Sequence, residues 1–402
     1  MDMHNYFRAA DFLLPADCDY QKWAVIACDQ HTSEPEYWNQ VKEYIGTAPS
    51  TLHVFFPEAE LSTINSEDYD RYCTNMRNYL ENQVFKEYSN SFIYVERTLE
   101  NGSVRQGVVG VIDLEHYDYD PKPNTKIFAT EATILQRVPP RVLLRNSASL
   151  EFSHTVIFCD DPACSIIEPI QQKRTDMELL YSFDLMYGGG HIEGYLVGSN
   201  EVAALEAAIS EYESGNAYLV GDGNHSLVTA KLSYNALKAA DPDTDWTNHP
   251  ARFAMVELEN IHNPAMVFEP IYRISQCTDP DGLIKDLQAL DTAEGVPIQW
   301  FHADREGVVR LKLKDGMLPI EALQQFLEHW TTANDGSIDY IHGTETVRSL
   351  AQQPGIVGYL VPDLDKRMLF PYVLSGKVMP KKTFSIGHAA EKRYYLEGRK
   401  IK

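Results

Sequence analysis

The clearest hydrophobic pattern lies near the middle of the chain, where an apolar run, a polar loop and an amphipathic segment follow one another. Tyr218–Val220 is a short apolar run of the kind that forms a buried strand. After the polar residues 221–226, apolar residues recur at helical spacing over Leu227–Leu237, and Asp241-Pro242 ends the pattern. The pattern therefore predicts a strand, a loop and a helix in that order.

The loop between this strand and this helix carries the densest candidate chemistry. Its two glycines allow a sharp turn and a close approach to a ligand, and the start of the helix favours phosphate or carboxylate. An aspartate and a histidine add a metal ligand or base and a proton-transfer group. A tight turn in which Ser226 caps the helix explains the same residues, because one Gly-rich loop is a weak signal. The phosphate-binding candidates are Gly221, Gly223, Asn224 and Ser226, and the catalytic candidates are Asp222 and His225.

A second apolar run is followed by a polar loop near the start of the chain. Trp23–Cys28 predicts a buried strand, and Ser33–Glu36 predicts a capping box with proline in the first helical turn. Ligands collect at the carboxyl ends of strands in α/β folds, so we expect Asp29 and Glu34 to be catalytic and to face the same cleft as the first loop. The alternative is that Asp29 and His31 only cap and solvate a turn.

The remaining pattern predicts a mixture of helices and strands without strict alternation. The composition shifts after residues 241–245, so the sequence predicts a phosphate- or nucleotide-binding domain over residues 1–245 and a C-terminal α+β domain over 246–402. Helices are predicted at 68–85, 129–138 (halted by Pro139-Pro140), 178–185, 201–212, 281–290, 320–330 and 345–351, and strands at 91–99, 103–113, 154–159, 195–197, 251–258, 308–313 and 356–361.

The composition is that of a globular protein with a strongly acidic surface. Of 402 residues, 58 are acidic and 35 are basic, which gives a formal net charge of −23. Such a surface repels duplex nucleic acid and anionic membranes, so an anionic ligand needs a local cluster of basic groups. No apolar run is long enough to span a bilayer, and the N-terminal residues lack the features of a signal peptide. Six scattered cysteines argue against a zinc site and indicate reduced thiols in a cytoplasmic protein.

Two groups of basic residues are candidates for holding an anion in this acidic chain. Arg137, Arg141 and Arg145 lie close together in sequence, and arginine offers phosphate a planar fork of donors. The alternative is a solvated face with surface ion pairs, which contribute little to stability. Lys381 and Lys382 form a second basic patch near hydroxyl-bearing residues, and its alternative is a charged C-terminal surface.

Several stretches together resemble the domain-of-unknown-function 1015 family. They include Trp-Ala-Val-Ile-Ala-Cys-Asp-Gln from residue 23, Ala-Thr-Glu-Ala-Thr near residue 129 and Phe-Asp-Leu-Met-Tyr-Gly-Gly-Gly-His from residue 183. Gly-Asp-Gly-Asn-His-Ser from residue 221 and Met-Pro-Lys-Lys-Thr-Phe-Ser from residue 379 also fit. The resemblance extends over nearly the whole chain.

The loop at residue 221 is also similar to the Asp-Gly-x-His-Arg loop of ParB/sulfiredoxin-like proteins. That resemblance implies a mixed α/β fold with a ParB/sulfiredoxin-like N-terminal core, in which the loop and the following helix bind phosphates of a nucleotide or substrate. Some relatives transfer phosphoryl groups, including kinases of free serine. This chain has Ser226 where the loop carries arginine, so Arg137, Arg141 or Lys381 must supply that contact.

Three functional hypotheses follow. The first is an enzyme that moves a phosphoryl group to or from a small metabolite such as serine or phosphoserine, with a nucleotide and Mg²⁺ as possible cofactors. The second is a nucleotide-binding switch or interaction module without turnover, and the third is a structural protein whose glycine loops are only turns. We expect a small anionic metabolite or a nucleotide as the partner, and neither nucleic acid nor a membrane.

Overall fold

A computed structural model describes residues 5–32, 34–61, 63–131 and 138–402. The chain divides into two compact units: residues 1–266 with 388–402 form the first unit, and residues 267–387 form the second. The chain thus leaves the first unit and returns to it through residues 388–402, which we call the C-terminal segment. The predicted boundary between residues 245 and 246 is too early, because the strand that follows it, Phe253–Asn260, lies inside the sheet of the first unit.

The strands are β1 Phe7–Arg8, β2 Ala10–Pro15, β3 Val25–Ile26, β4 Phe85–Thr98, β5 Val104–Asp113, β6 Tyr117–Asp118, β7 Ile127–Ala129, β8 Leu150–Phe152, β9 Val156–Cys159, β10 Glu178–Asp184, β11 His191–Val197, β12 Tyr218–Asp222, β13 Phe253–Asn260, β14 Phe268–Gln276, β15 Asp291–His302, β16 Arg305–Leu311, β17 Ser337–His342, β18 Ile356–Leu360, β19 Phe384–Ile386, β20 Tyr394–Tyr395 and β21 Gly398–Lys400. The helices are α1 Tyr20–Trp23, α2 Pro35–Ile45, α3 Ser66–Glu81, α4 Pro139–Ser147, α5 Glu168–Gln171, α6 Ser199–Glu213, α7 Asn224–Ala240, α8 Pro280–Gln288, α9 Pro319–Ala333, α10 Thr344–Leu350 and α11 Leu369–Leu374. This composition confirms the predicted mixed α/β class, and the ParB/sulfiredoxin-like core remains an expectation.

The first unit is built on one large mixed sheet. Its strands follow the order β6-β7-β12-β9-β13-β5-β4-β2-β21-β8, with β1 paired to β5 and with β11 joining β10 to β4. Strand β12 runs parallel to β7 and antiparallel to β9, and its residues Tyr218, Leu219 and Val220 are fully buried. Helix α7 packs Leu227, Val228 and other apolar residues into the same core. Strand β12 and helix α7, which flank the loop, are therefore both anchored by apolar residues buried in this core.

The C-terminal segment completes this unit at two places. Strand β20 pairs with β3, and β21 pairs with both β2 and β8. The Trp23 indole, which is fully buried, donates a hydrogen bond of 2.8 Å to the carbonyl of Leu396. Strand β3 depends on this segment for its pairing, because β20 is its partner in the described sheet.

The structure corrects one predicted element near the triple glycine and confirms two predicted hairpin turns. Of the helix predicted at 178–185, residues Glu178–Asp184 instead form strand β10, because Tyr181 and Phe183 are buried while Ser182 and Asp184 are exposed, which is a period of two. Strand β10 pairs with β11 across the triple glycine, so the interpretation of residues 188–190 as a hairpin turn is confirmed. The hairpin predicted around residues 100–102 is confirmed as β4–β5.

Two other corrections concern helix and strand boundaries near the candidate site. Pro139-Pro140 begins helix α4 and does not halt a preceding one, since proline is well tolerated in the first helical turn. Residues 132–137, which were predicted to be helical, lie outside the described residues. Of the predicted strand Trp23–Cys28, Val25–Ile26 forms a strand, and Trp23 ends helix α1.

The second unit contains its own sheet, in the order β16-β15-β18-β14-β17, with β19 also paired to β14. The predicted helices at 281–290, 320–330 and 345–351 correspond to α8, α9 and α10. Among the described helices of the whole chain, none combines the length and the apolar composition that crossing a membrane requires.

Candidate functional site

The candidate site begins at the turn from β12 into α7. Gly223 is the N-cap of α7 and adopts a left-handed conformation with φ of 81°. A Cβ atom there would lie 2.6 Å from Oγ1 of Thr155, which is closer than real contacts allow. Both the backbone conformation and the close packing therefore require glycine. The turn presents the first N–H groups of a long helix, of which that of Ser226 donates to the carbonyl of Gly223 at 3.0 Å.

Asp222 is paired with a lysine from the C-terminal segment. Its Oδ2 atom lies 3.1 Å from Nζ of Lys392, and both side chains are largely shielded from water. Its Oδ1 atom accepts a hydrogen bond of 2.9 Å from the backbone N–H of Gly223. The carboxylate is thus fixed on one side by an ammonium and on the other by the turn that starts α7.

The charge of the same lysine also acts on Asp29. Burial opposes its ionisation, but His154 and Lys392, a hydrogen bond from Gln30 and the charge of Arg141 together hold the pKa of Asp29 below its usual value. The Gln30 amide donates to Oδ1 of Asp29 at 3.1 Å. The charge of one ammonium group therefore favours the ionised form of Asp29, while the same ammonium pairs with Asp222 at the start of α7.

His154 and Tyr395 add a buried polar pair to this site. Nδ1 of His154 and the hydroxyl of Tyr395 form a hydrogen bond of 2.8 Å, and the two rings meet edge to face. The same hydroxyl hydrogen-bonds the thiol of Cys28. Burial raises the pKa of the Cys28 thiol to about 11, so it stays protonated near neutral pH and is not a nucleophile.

Arg97 fixes the stretch of backbone that carries Lys392. Its guanidinium is buried and donates to the carbonyls of Ala390, Glu391 and Lys392 at 2.7 to 2.9 Å. Its Nε donates to the carbonyl of Gly189 at 2.8 Å, within the triple-glycine turn. Arg97 therefore joins the C-terminal segment to the β10–β11 hairpin and acts as a positioning residue for Lys392.

A pocket of about 830 Å³, including space open to solvent, adjoins these residues. Cys28, which precedes the loop at residues 29–34, and Ser226 from α7 both line it, but Asp29 and Glu34 are not among its lining residues. That the two loops share a cleft therefore stays a prediction. Arg141 lines it as well, and its guanidinium forms an ion pair with Glu58 in which both side chains are largely buried. The predicted arginine thus points into the pocket, although a carboxylate already accompanies it.

The sequence matches the model of the family described as "Protein of unknown function (DUF1015)" over residues 14–365. The chain belongs to this family. Among curated proteins, none has significant similarity to it.

Solved structures provide more distant likenesses. A conserved hypothetical protein from Pyrococcus furiosus is 10% identical, with a TM-score of 0.36 over 73% of this chain and 94% of that one. SbnI with a C-terminal truncation, from Staphylococcus aureus, is 15% identical, with a TM-score of 0.34 over 69% and 81%. A free serine kinase in complex with AMP is 10% identical, with a TM-score of 0.40 over 72% and 91%. Similarity at this level does not transfer the activity of any of these proteins to this chain.

The residues of the first predicted loop lie around the first turn of α7. Helix α7 begins at Asn224 and not at Ser226, because the left-handed Gly223 ends the loop two residues earlier than predicted. Ser226 is therefore inside the helix and does not cap it. His225 is half-buried, and its carbonyl accepts a hydrogen bond from Thr229. Gly221 ends the buried part of β12 against the ring of Phe158.

Glu34 is more exposed to solvent than Asp29, although both belong to the second predicted loop. Its side chain is 64% exposed, and its carboxylate lies 3.1 Å from Nδ1 of His31. His31 stacks on the ring of Tyr37 at 3.7 Å and has a φ of 51°. Glu34 is the N-cap of α2 but makes no side-chain capping bond, and Ser33 lies outside the described residues.

The remaining basic candidates have separate positions. Arg137 lies outside the described residues. Lys381 and Lys382 belong to the second unit, where their carbonyls accept hydrogen bonds from the fully buried Arg273 and their ammonium groups lie over the ring of Tyr340. Their role in holding phosphate remains a prediction.

Sequence reasoning missed the residues that other segments bring to the site. Lys392 and Tyr395 come from the C-terminal segment, His154 and Thr155 precede β9, and Arg97 lies in β4. The Lys392-Arg393 pair carried a signal as a basic dipeptide in an acidic chain, but nothing local linked it to residue 222. Within the described residues, no group of three or more His, Cys, Asp or Glu side chains is arranged to hold a metal.

Proposed function

We propose that the first unit transfers a phosphoryl group to or from the hydroxyl of a small metabolite, with the phosphate held at the first turn of α7. The observation that carries the proposal is the position of Lys392, whose ammonium acts on Asp222 beside the helix start and on Asp29 from the other loop. A helix N-terminus, a lysine and two carboxylates are the groups that phosphoryl transfer uses for positioning and charge neutralisation.

Different residues of the chain bind the phosphate and accept the proton. The backbone amides at the start of α7 and the ammonium of Lys392 bind phosphate oxygens and offset their charge. Asp29, whose pKa is lowered, is ionised near neutral pH and is one candidate to accept the proton of the attacking hydroxyl. His225, in the first turn of α7, is the other candidate.

In the kinase direction, the hydroxyl oxygen of the acceptor attacks the terminal phosphorus of a nucleotide. The new P–O bond forms as the bond to the leaving phosphate oxygen breaks, and the hydroxyl proton passes to the base. In the phosphatase direction, water attacks a phosphate monoester, and the products are an alcohol and inorganic phosphate. Serine is the first acceptor to test, because the loop resembles that of serine kinases.

Mg²⁺ is compatible with this site on the chemistry of its donors. Mg²⁺ in phosphoryl-transfer sites is usually held by one or two carboxylates together with substrate phosphates, so a set of three protein ligands is not required. Asp29 and Asp222 are the carboxylates that would hold it, and its charge would help to neutralise the phosphate.

The test is a direct assay of transfer with the full chain. Purified protein is incubated with serine or phosphoserine and a panel of nucleotides, with and without Mg²⁺, and phosphorus NMR follows every phosphorylated species. We expect transfer or phosphate release that Asp222→Asn reduces at least 100-fold, while Asp241→Asn, at the far end of α7, leaves it unchanged. Nucleotide binding by calorimetry without turnover would instead support the alternative of a nucleotide-binding switch.

A further inference from the structure

The pocket beside the first turn of α7 has an apolar wall. Carbon-rich side chains from several elements line it, including Phe55 and Phe56 before α3, Leu144 of α4 and Phe152 of β8. Serine and inorganic phosphate have almost no apolar surface to place against such a wall. The hydrophobic contribution of the pocket is therefore unused unless the ligand carries an apolar part.

The same pocket also has polar lining residues with unfilled hydrogen-bonding capacity. Thr155 is 1% exposed and lines the pocket, and its Oγ1 has no hydrogen-bond partner among the described residues. Arg145 lines the pocket too: its Nη1 donates to Glu151 at 2.7 Å, whereas its Nη2 is buried without a partner in the described part of the chain. Buried donors of this kind are normally satisfied, so each indicates a ligand atom or a water.

The charges of the lining favour an anion. Arg141 pairs with Glu58, while Glu151 pairs with Arg145 and also accepts a hydrogen bond of 2.5 Å from Arg399, so three guanidinium groups meet two carboxylates at this pocket. The carboxylate of Glu151 is thus shared between two arginines. In a chain with a net charge of −23, a buried excess of guanidinium groups is a specific feature and not a general property of the surface.

We propose that this pocket binds an amphipathic anion, a metabolite that has one carboxylate or phosphate group near Thr155 and Arg145 and an apolar body of several carbon atoms against the phenylalanines. The inference rests on the proposed function only in naming the substrate class of that reaction. The reacting hydroxyl or phosphate would lie toward Ser226, which lines the pocket from the first turns of α7.

The test is calorimetric binding of ethyl, butyl and hexyl phosphate to the full chain, with O-phosphoserine as the polar reference. We expect affinity to rise about fourfold for each added methylene, as burial of a methylene predicts, and O-phosphoserine to bind no better than ethyl phosphate. Leu144→Trp should reduce hexyl phosphate binding at least tenfold. The matched control is Leu143→Trp on the same helix, whose side chain is 60% exposed and does not line the pocket.

Thr155→Val removes the unpartnered hydroxyl and keeps the shape of the side chain. We expect it to weaken all three alkyl phosphates by a similar factor of about 3 to 10, which is the usual cost of one lost hydrogen bond. This variant and the wild-type chain-length series keep the test valid if Leu144→Trp does not fold.

Affinity that is independent of chain length would overturn the inference, even if phosphoryl transfer to serine is found. AMP binding that Leu144→Trp abolishes, without any gain along the alkyl series, would also overturn it, because the pocket would then belong to a nucleobase. Chain-length dependence without any phosphoryl transfer would support the pocket and reject the proposed function, so the two failures are distinguishable.

Discussion

The loop after β12 and the loop after β3 have similar local patterns, but the fold supports them in different ways. Strand β12 lies between β7 and β9 within the main sheet, and α7 behind it is buried. Strand β3 has two residues and pairs with β20 of the C-terminal segment. The first loop is therefore part of the central core, whereas the second depends on a segment that reaches it from the far end of the sequence.

This difference also separates the candidate residues. Asp222 pairs with Lys392, and the charge of the same lysine contributes to the lowered pKa of Asp29, while Glu34, further along the second loop, is exposed. Both loops are thus subject to the charge of Lys392 and differ in the strand pairing that supports each of them. Variants that act on one loop, or on Lys392, test this difference between the loops.

The largest effect is expected from His225, in the first turn of α7. His225→Ala should lower turnover roughly 10²–10⁴-fold if the imidazole is the general acid or base. His225→Asn keeps a hydrogen-bond donor but cannot carry a proton, so lost turnover with retained binding identifies proton transfer. The control is His329→Ala, at an exposed position of α9. Full activity in both His225 variants would show that this histidine is structural.

Lys392→Ala should have the next largest effect, because it removes the ammonium whose charge acts on the carboxylates of both loops. We expect turnover to fall roughly 10²–10³-fold through lost electrostatic stabilisation, and the free energy of unfolding to fall by about 2 kcal/mol as Asp222 loses its partner. Kinetics and urea denaturation measure the two effects. Lys238→Ala, on the exposed face of α7, is the matched lysine control.

If Lys392→Ala lowered stability but left turnover intact, the lysine would only be a structural partner for the two carboxylates. In that case the comparison of the loops would stand, but the proposed site would lose its phosphate-binding cation.

Arg97→Met should affect the second loop more than the first, because Arg97 holds the C-terminal segment that pairs with β3. The variant removes the donor to the carbonyls of Gly189, Ala390 and Lys392, while the carbonyl of Glu391 keeps Arg105, and we expect a loss of roughly 3 kcal/mol in the free energy of unfolding. Hydrogen exchange should become faster in residues 388–402 and 25–29 while β12 stays protected. Equal acceleration in β12 would contradict the difference in support, and Arg77→Met, at an exposed position of α3, is the control.

A smaller effect is expected on the acid side of the stability curve. The pKa of Asp29 is lower in the folded chain than its ordinary value of 3.8, so its ionised form contributes stability above that pH. That contribution is lost as pH falls through the folded pKa. Asp29→Asn should therefore flatten the loss of stability below about pH 4, measured by urea denaturation at several pH values. Asp17→Asn, at an exposed position, should leave the curve unchanged.

The smallest effect is expected from Glu34→Gln. The carboxylate is exposed and contacts His31, so we expect stability to change by less than about 0.5 kcal/mol and turnover by only a few-fold. Steady-state kinetics check this directly. A loss of 100-fold or more would instead assign Glu34 the catalytic role that the sequence predicts and would make the two loops chemically equivalent.

The prediction of the fold from sequence succeeded where local pattern and tertiary burial agree. Tyr218–Val220 and the helix after it were predicted because their apolar spacing matches the face that the core buries. Residues 178–185 were predicted wrongly, since a short apolar segment such as Leu179–Phe183 fits a helix or a strand until its partner, β11, is known. Pro139 and Pro140 begin α4 and do not end a helix before it. Local sequence does not distinguish the two cases, because proline disrupts the interior of a helix but fits its first turn.

Local sequence patterns identify the loops that carry Asp222, Gly223, His225 and Asp29, because glycine conformation, polar loops and helix starts are local properties. Long-range packing brings Lys392 to Asp222, holds the backbone of that lysine through Arg97, and places Thr155 and Arg145 in the lining of the adjoining pocket. These residues lie far apart in sequence, and their proximity comes from sheet pairing and the return of the C-terminal segment. Long-range pairing of this kind leaves no periodic trace in any single segment, so the sequence of each segment alone does not reveal it.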